Sequence, residues 1–152
     1  MQPFENLIRE LGKVMGIELR PDSHQSCLIE FPQNEISIQI DLDFNADQIL
    51  VGATLGRLTP GVFREQIFQQ ALLANGTGKT PRGTLAYSEK NDELILFQFL
   101  PLAFLTGEKF SEFLQLFLAH AIAWKKAIAN GTIPQIEEES SQKSSGMFGL
   151  KP

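Results

Sequence analysis

Between Glu35 and Phe44 the chain alternates strictly between apolar and polar side chains. Ile36, Ile38, Ile40, Leu42 and Phe44 fall on one side, and Glu35, Ser37, Gln39, Asp41 and Asp43 on the other. A period of two predicts a half-buried antiparallel strand. The preceding stretch "SCLIEF" (26–31) predicts another strand, closed by Pro32-Gln33-Asn34. Asn45-Ala46-Asp47 turns the chain into "QILVGATLGRL", which places Ile49, Val51, Ala53 and Leu55 on one face. These three strands form a meander. Further on, "GTLAYS" and "ELILFQFLP" flank the polar "EKND" and read as a hairpin. The second of them is apolar on both sides through Leu94, Ile95, Leu96, Phe97 and Phe99, which predicts cover on both faces.

Three helices complete the pattern. Over residues 3–16, Phe4, Leu7, Ile8, Leu11, Val14 and Met15 recur at helical spacing, and Gly16 stops the run. Thr59 as N-cap and Pro60 at the first helical position predict the start of a second helix. Phe63, Ile67, Ala71 and Ala74 form its stripe, with Phe68 and Leu72 beside it, and Asn75-Gly76 read as its stop. A third helix over 107–129 carries Phe110, Phe113, Leu114, Phe117, Ala121, Trp124 and Ile128, widened by Leu116, Leu118 and Ile122. Asn130-Gly131 and then Pro134 end it. The order α-β-β-β-α-β-β-α predicts an α+β domain over 1–133, with a twisted antiparallel sheet packed against helices. Residues 134–152 are polar and Ser-rich, the composition of a disordered tail.

One motif competes with this reading. "ANGTGKTPRG" (74–83) contains GTGKT, the end of a phosphate-cradling loop. Such a loop needs a strand before it, a glycine five residues ahead of Gly78, and a helix opening at the lysine. Here the glycine position is Leu73, a helical pattern precedes, and Pro81 disfavours helical geometry at Thr80. The stretch reads as a helix stop and a turn, Lys79 as a solvated turn lysine, and no nucleotide binding is expected.

The remaining chemistry is sparse. The chain of 152 residues carries a net charge of −5, which argues against nucleic acid as a partner. No stretch offers the roughly 18 apolar residues of a membrane span, and the N-terminus, with Glu5 and Glu10, does not read as a secretory signal. Cys27 is the lone cysteine, so no intrachain disulfide is possible and a reducing cytoplasm fits. His24 and Cys27 have an H-x-x-C spacing, and His120 stands far along the chain; a zinc site needs three or four ligands, so neither a metal nor a Cys–His nucleophile is expected. Asp41 and Asp43 share the solvent side of an alternating strand, which explains them without catalysis. No enzyme activity and no cofactor are expected. What stands out is apolar surplus, including twelve Phe against one Tyr and one Trp. Helices two and three are apolar over more than one narrow stripe, which leaves either a large core, a subunit interface or a partner groove.

In order and length these pieces resemble the class I type III secretion chaperones, the CesT-like (Tir chaperone) family. The resemblance runs over about residues 3–130. It rests on the amphipathic first helix followed by "GIEL", the meander "ISIQIDLDFNADQILVGATLG", the stretch "FREQIFQQALLANGTGKTPRGTLAYSEKNDELILFQFLPL", and the aromatic third helix with Phe110, Phe113, Phe117 and Trp124. It implies a homodimeric chaperone of the bacterial cytoplasm without ATPase activity. Such a protein holds the N-terminal segment of secreted effector proteins in extended form and presents it to the export apparatus, whose ATPase is a further implied partner. Carried over residue by residue, the dimer interface falls on Phe63, Ile67, Phe68 and Leu72 with Leu85 and Tyr87. The client groove falls on Leu7, Ile8, Leu11, Ile38 and Ile40. A small regulatory or ligand-binding domain of the same fold is the alternative.

Overall fold

A computed structural model describes residues 3–45, 47–77 and 83–134. In chain order it contains α1 (Pro3–Met15), β1 (Ser26–Phe31), β2 (Ile36–Asp43), β3 (Gln48–Arg57), α2 (Val62–Thr77), β4 (Thr84–Ser88), β5 (Glu93–Pro101) and α3 (Gly107–Asn130). The five strands form one sheet in the order β1-β2-β3-β5-β4, antiparallel throughout. This is the α+β architecture expected from the pattern of the chain.

Alternation decides what the sheet buries. Cys27 and Ile29 of β1, Ile36, Ile38 and Ile40 of β2, Ile49, Val51, Ala53 and Leu55 of β3, and Leu94 and Leu96 of β5 all enter one core. Phe4, Leu7, Ile8 and Leu11 of α1 join it, as do Phe110, Leu114, Phe117, Ala121 and Trp124 of α3. α1 packs against α3, and α3 against β3, so both helices cover the same sheet face. Glu10 ties the two helices together, because its side chain accepts the Gly107 backbone N–H at 3.2 Å. A carboxylate at the N-terminus of α3 also meets the positive end of its dipole. Thr106 caps the same turn by accepting from the Lys109 N–H, and Gly131 closes the far end by donating to the Ala127 and Ile128 carbonyls.

Three details differ from the sequence reading. α2 begins at Val62, three residues after Thr59, because the chain first turns at Gly61 with φ +149°, a conformation that glycine adopts freely. The Gly61 carbonyl then accepts from the Glu65 N–H. α2 also runs through Asn75 and Gly76 to Thr77. Asn75 does not stop the helix: its side chain grips β4, accepting from Leu85 N–H at 2.9 Å and donating to Leu85 O at 2.8 Å. The third difference is the outer face of β5. Both faces were expected to be covered, yet Ile95 and Phe97 are only half-buried and Phe99 remains 42% exposed. With α1 and α3 both on the inner face, nothing described lies over the outer one. The GTGKT turn from Gly78 on and the tail from Gln135 on lie outside the described residues.

Leu11→Ala should cost about 2–5 kcal/mol of stability, the usual cost of a cavity at a fully buried leucine. Urea unfolding followed by circular dichroism measures it, and a loss below 1 kcal/mol would place Leu11 outside the core.

Candidate functional site

Leu7, Ile8, Leu11, Ile38 and Ile40, the residues expected to form the client groove, are all buried in the protomer's core. They form the seam between α1 and the sheet, so none offers a side chain to a partner unless α1 lifts away. A groove on these elements must therefore be built from their outward neighbours.

Those neighbours do form a surface. On the outer sheet face the register aligns Leu28, Gln39, Gly52, Phe97 and Thr84 across all five strands. Gly52 contributes no side chain, and a cleft of about 340 Å³ opens over it. Leu28, 53% exposed, stands at one end of the cleft, Ile95 and Phe97 line the other, and Ser37, Gln39 and Thr54 supply polar groups along it. The neighbouring row pairs Asp41 with Leu50 and Leu50 with Phe99. Phe97 and Phe99 meet edge to face with centroids 6.1 Å apart. An apolar, concave sheet face with scattered hydrogen-bonding groups suits an extended peptide, which drops alternate side chains into pockets.

A second apolar surface follows α2. Only Ile67 and Ala71 of this 16-residue helix are buried, and its main packing partner is β4. The six residues expected at a dimer interface divide accordingly. Ile67 and Leu85 are buried beneath the surface, Phe63, Phe68 and Tyr87 are half-buried, and Leu72 is 72% exposed. Val62, 70% exposed, and Leu73, which the sequence reading left out of this set, are further exposed apolar side chains of α2, on the side turned away from Ile67 and Ala71. They fall outside the main helical stripe, so periodicity gave no sign of them.

A polar clasp holds α2 in place. Arg64 donates to the Tyr87 hydroxyl at 2.9 Å, and that hydroxyl donates to Asp92 Oδ1 at 2.5 Å. The Arg64 guanidinium lies 5.4 Å from the Tyr87 ring centroid and 5.7 Å from that of Phe68, within cation–π range. Phe68 itself meets Tyr87 edge to face at 5.0 Å. The hydrogen bond to Asp92 stabilises the neutral phenol and raises the Tyr87 pKa above its usual 10.0.

The candidate catalytic groups are otherwise occupied. Burial raises the pKa of the Cys27 thiol, with Asp22 adding to the effect, which opposes a reactive thiolate. His24 is exposed in the preceding loop. Asp41 accepts from the Ser26 hydroxyl and from Gln39, while Asp43 accepts from Gln48 and the Asn45 N–H. Each carboxylate is held by different partners, as structural groups are. Among the described residues, no group of three or more His, Cys, Asp or Glu could hold a metal. No described helix is long and apolar enough to cross a membrane.

The architecture is thus a one-layer antiparallel sheet with two helices on one face, a third along its edge and an uncovered outer face. The chain belongs to the Tir chaperone protein (CesT) family, whose model matches residues 6–125. No curated protein matches the chain significantly in sequence. Among solved structures, it resembles the ExsC–ExsE complex at 21% identity and TM-score 0.66, over 80% of this chain and 90% of that one. The HopA1–SchA chaperone–effector complex matches at 18% identity and TM-score 0.67, over 82% and 94%. YbjN from E. coli, described provisionally as a transcription regulator, matches at 18% identity and TM-score 0.54, over 84% and 93%.

Tyr87 is the only tyrosine, so its ionisation can be followed by ultraviolet absorbance without ambiguity. A neutral form favoured by folding means that the clasp is intact below pH 10 and is lost as pH rises through the raised value. The folded protein should titrate above 10, and Asp92→Asn should lower that midpoint. An unchanged midpoint in the variant would remove Asp92 as the cause.

Proposed function

We propose that the protein is a type III secretion chaperone that holds the N-terminal segment of effector proteins in extended, secretion-competent form. Membership of the Tir chaperone family supports this reading. The observation that carries it here is the open outer sheet face, with Leu28, Leu50, Ile95, Phe97 and Phe99 half-buried or exposed. A folded domain rarely leaves a contiguous apolar surface uncovered unless something binds it. An effector segment laid across that face would order on contact and bury apolar area, with a strongly negative heat-capacity change.

The working form we propose is a homodimer in the bacterial cytoplasm. α2 supplies the interface through Phe63, Phe68, Leu72 and Tyr87, with Ile67 and Leu85 as its underlying support. In an isologous contact each apolar residue meets the same patch on its partner, so the α2 surplus is buried twice. Hand-over to the export ATPase is the further step in this proposal. The alternative, a regulatory domain that binds a ligand, draws on the presence of the same fold in YbjN.

The test combines assembly with client binding. Sedimentation should give twice the 17.0 kDa chain mass, and Phe68→Asp should give monomer or aggregate. In calorimetry with the N-terminal segment of an effector from the same bacterium, Phe97→Asp should weaken binding by about 2 kcal/mol or more, with folding and the dimer retained. Undiminished affinity in a folded Phe97→Asp protein would remove the sheet face as the docking surface. A wild-type monomer at tens of micromolar would remove the dimer.

A further inference from the structure

On this acidic protein, one cluster of positive charge stands apart from both apolar surfaces. Arg9 and Lys13 are four residues apart on α1 and therefore share an exposed face. After α1 ends, the Ile17 N–H bonds to the Gly12 carbonyl at 2.9 Å, and the chain doubles back across the helix. The crossing is close: a Cβ on Gly12 would stand 2.6 Å from the Ile17 carbonyl oxygen and 3.1 Å from the Leu19 nitrogen. Only glycine leaves room for it. The crossing brings Arg20 alongside Arg9 and Lys13, and the three cations line an open groove of about 480 Å³ together with Ile17, Glu18 and Leu19.

The charges there are not balanced. Glu18 pairs with Arg20 at 2.7 Å. Among the described residues, Arg9 and Lys13 meet no carboxylate at ion-pair distance. Glu18, Leu19 and Arg20 lie outside helix and strand, and among the described residues their backbone makes no hydrogen bond to other backbone. The groove thus offers two free cations, an apolar floor with Ile17 47% exposed, and an unpaired stretch of main chain.

We infer that this groove docks an extended acidic polypeptide segment of a partner protein, with carboxylates at alternate positions. The spacing fits: one helical step of four residues separates Arg9 from Lys13 by about 6 Å along the axis, and alternate residues of an extended chain lie about 6.7 Å apart. Charge also limits the ligand. With a net charge of −5 and with Glu5, Glu10 and Glu18 on the same helix and loop, a dense polyanion is repelled, whereas a few spaced carboxylates are not. The chain's own acidic run, Glu137-Glu138-Glu139, lies outside the described residues and is tested separately below. The groove uses none of the residues of the outer sheet face or of α2, so this assignment stands whether or not effectors bind there.

The test is fluorescence anisotropy with the full chain and a fluorescein-labelled nine-residue peptide that alternates Glu with Leu. At about 50 mM salt this peptide should bind at least about tenfold more tightly than its Gln-for-Glu counterpart, and should weaken as salt rises. Arg9→Glu/Lys13→Glu should lose about tenfold or more; Phe97→Asp should lose nothing. Equal binding by the charge-reversed variant overturns the assignment, as does displacement by tripolyphosphate at matched charge, which would make the site one for small anions. Tighter binding in Glu137→Gln/Glu138→Gln/Glu139→Gln would mean that the protein's own acidic tail fills the groove, and would overturn a partner as its occupant. Client affinity lost in Phe97→Asp while peptide affinity persists, or the reverse, separates this site from the sheet face.

Discussion

Everything in this molecule follows from placing two apolar helices on one side of a sheet whose last long strand, β5, is apolar on both. Ile38 and Ile40 at the centre of β2 share a core with Leu7, Ile8 and Leu11 of α1 and with the aromatic stripe of α3. Sealing that face leaves no helix for the other. α2 lies along β4 at the edge, held by the Asn75 grip on Leu85 and by the Arg64–Tyr87–Asp92 clasp. The outer face therefore keeps Leu28, Phe97 and Phe99 in contact with water, and α2 keeps Val62 and Leu72 there. Burial of such surface is worth roughly 25 cal/mol per Å². The protein folds by hiding one set of apolar residues and leaves two others uncovered.

Much of this was legible in the sequence. The period-two alternation of β2 and β3 and the 3.6-residue stripes of α1 and α3 fixed element type, order and boundaries to within a few residues. Alternation says that a strand has two faces, but not which apolar set faces water when both are apolar. That is why β5 was expected to be covered twice. Periodicity on α1 likewise identifies Leu7, Ile8 and Leu11 as one stripe without saying whether helix α3 or a partner covers it. The structure answers through α3. α2 ends one residue past the stop expected at Asn75-Gly76, but Asn75 does more than favour a helix end: its side chain bonds a strand ten residues on, a contact that no local pattern encodes.

The division of labour also explains the sparse chemistry. Family members act as binding proteins, and this chain places its titratable groups as clamps: Glu10 on the α3 N-terminus, Asp92 on Tyr87, Asp41 on Ser26. The exposed apolar side chains of the sheet and α2 and the groove beside Arg9 and Lys13 take no part in these clamps. In the functions proposed above, three surfaces on separate elements would serve self-association, client binding and a further contact without competition.

The central claim is that clients meet the outer sheet face and not the seam between α1 and the sheet. Fluorine NMR with fluorophenylalanine reads both at once, because Phe97 and Phe99 lie on the outer face while Phe4 and Phe110 lie in the buried core. Adding an effector segment should shift and broaden the Phe97 and Phe99 resonances and leave those of Phe4 and Phe110 in place. Large shifts at Phe4 and Phe110 with Phe97 and Phe99 unmoved would mean that the client opens the seam, and would contradict the account.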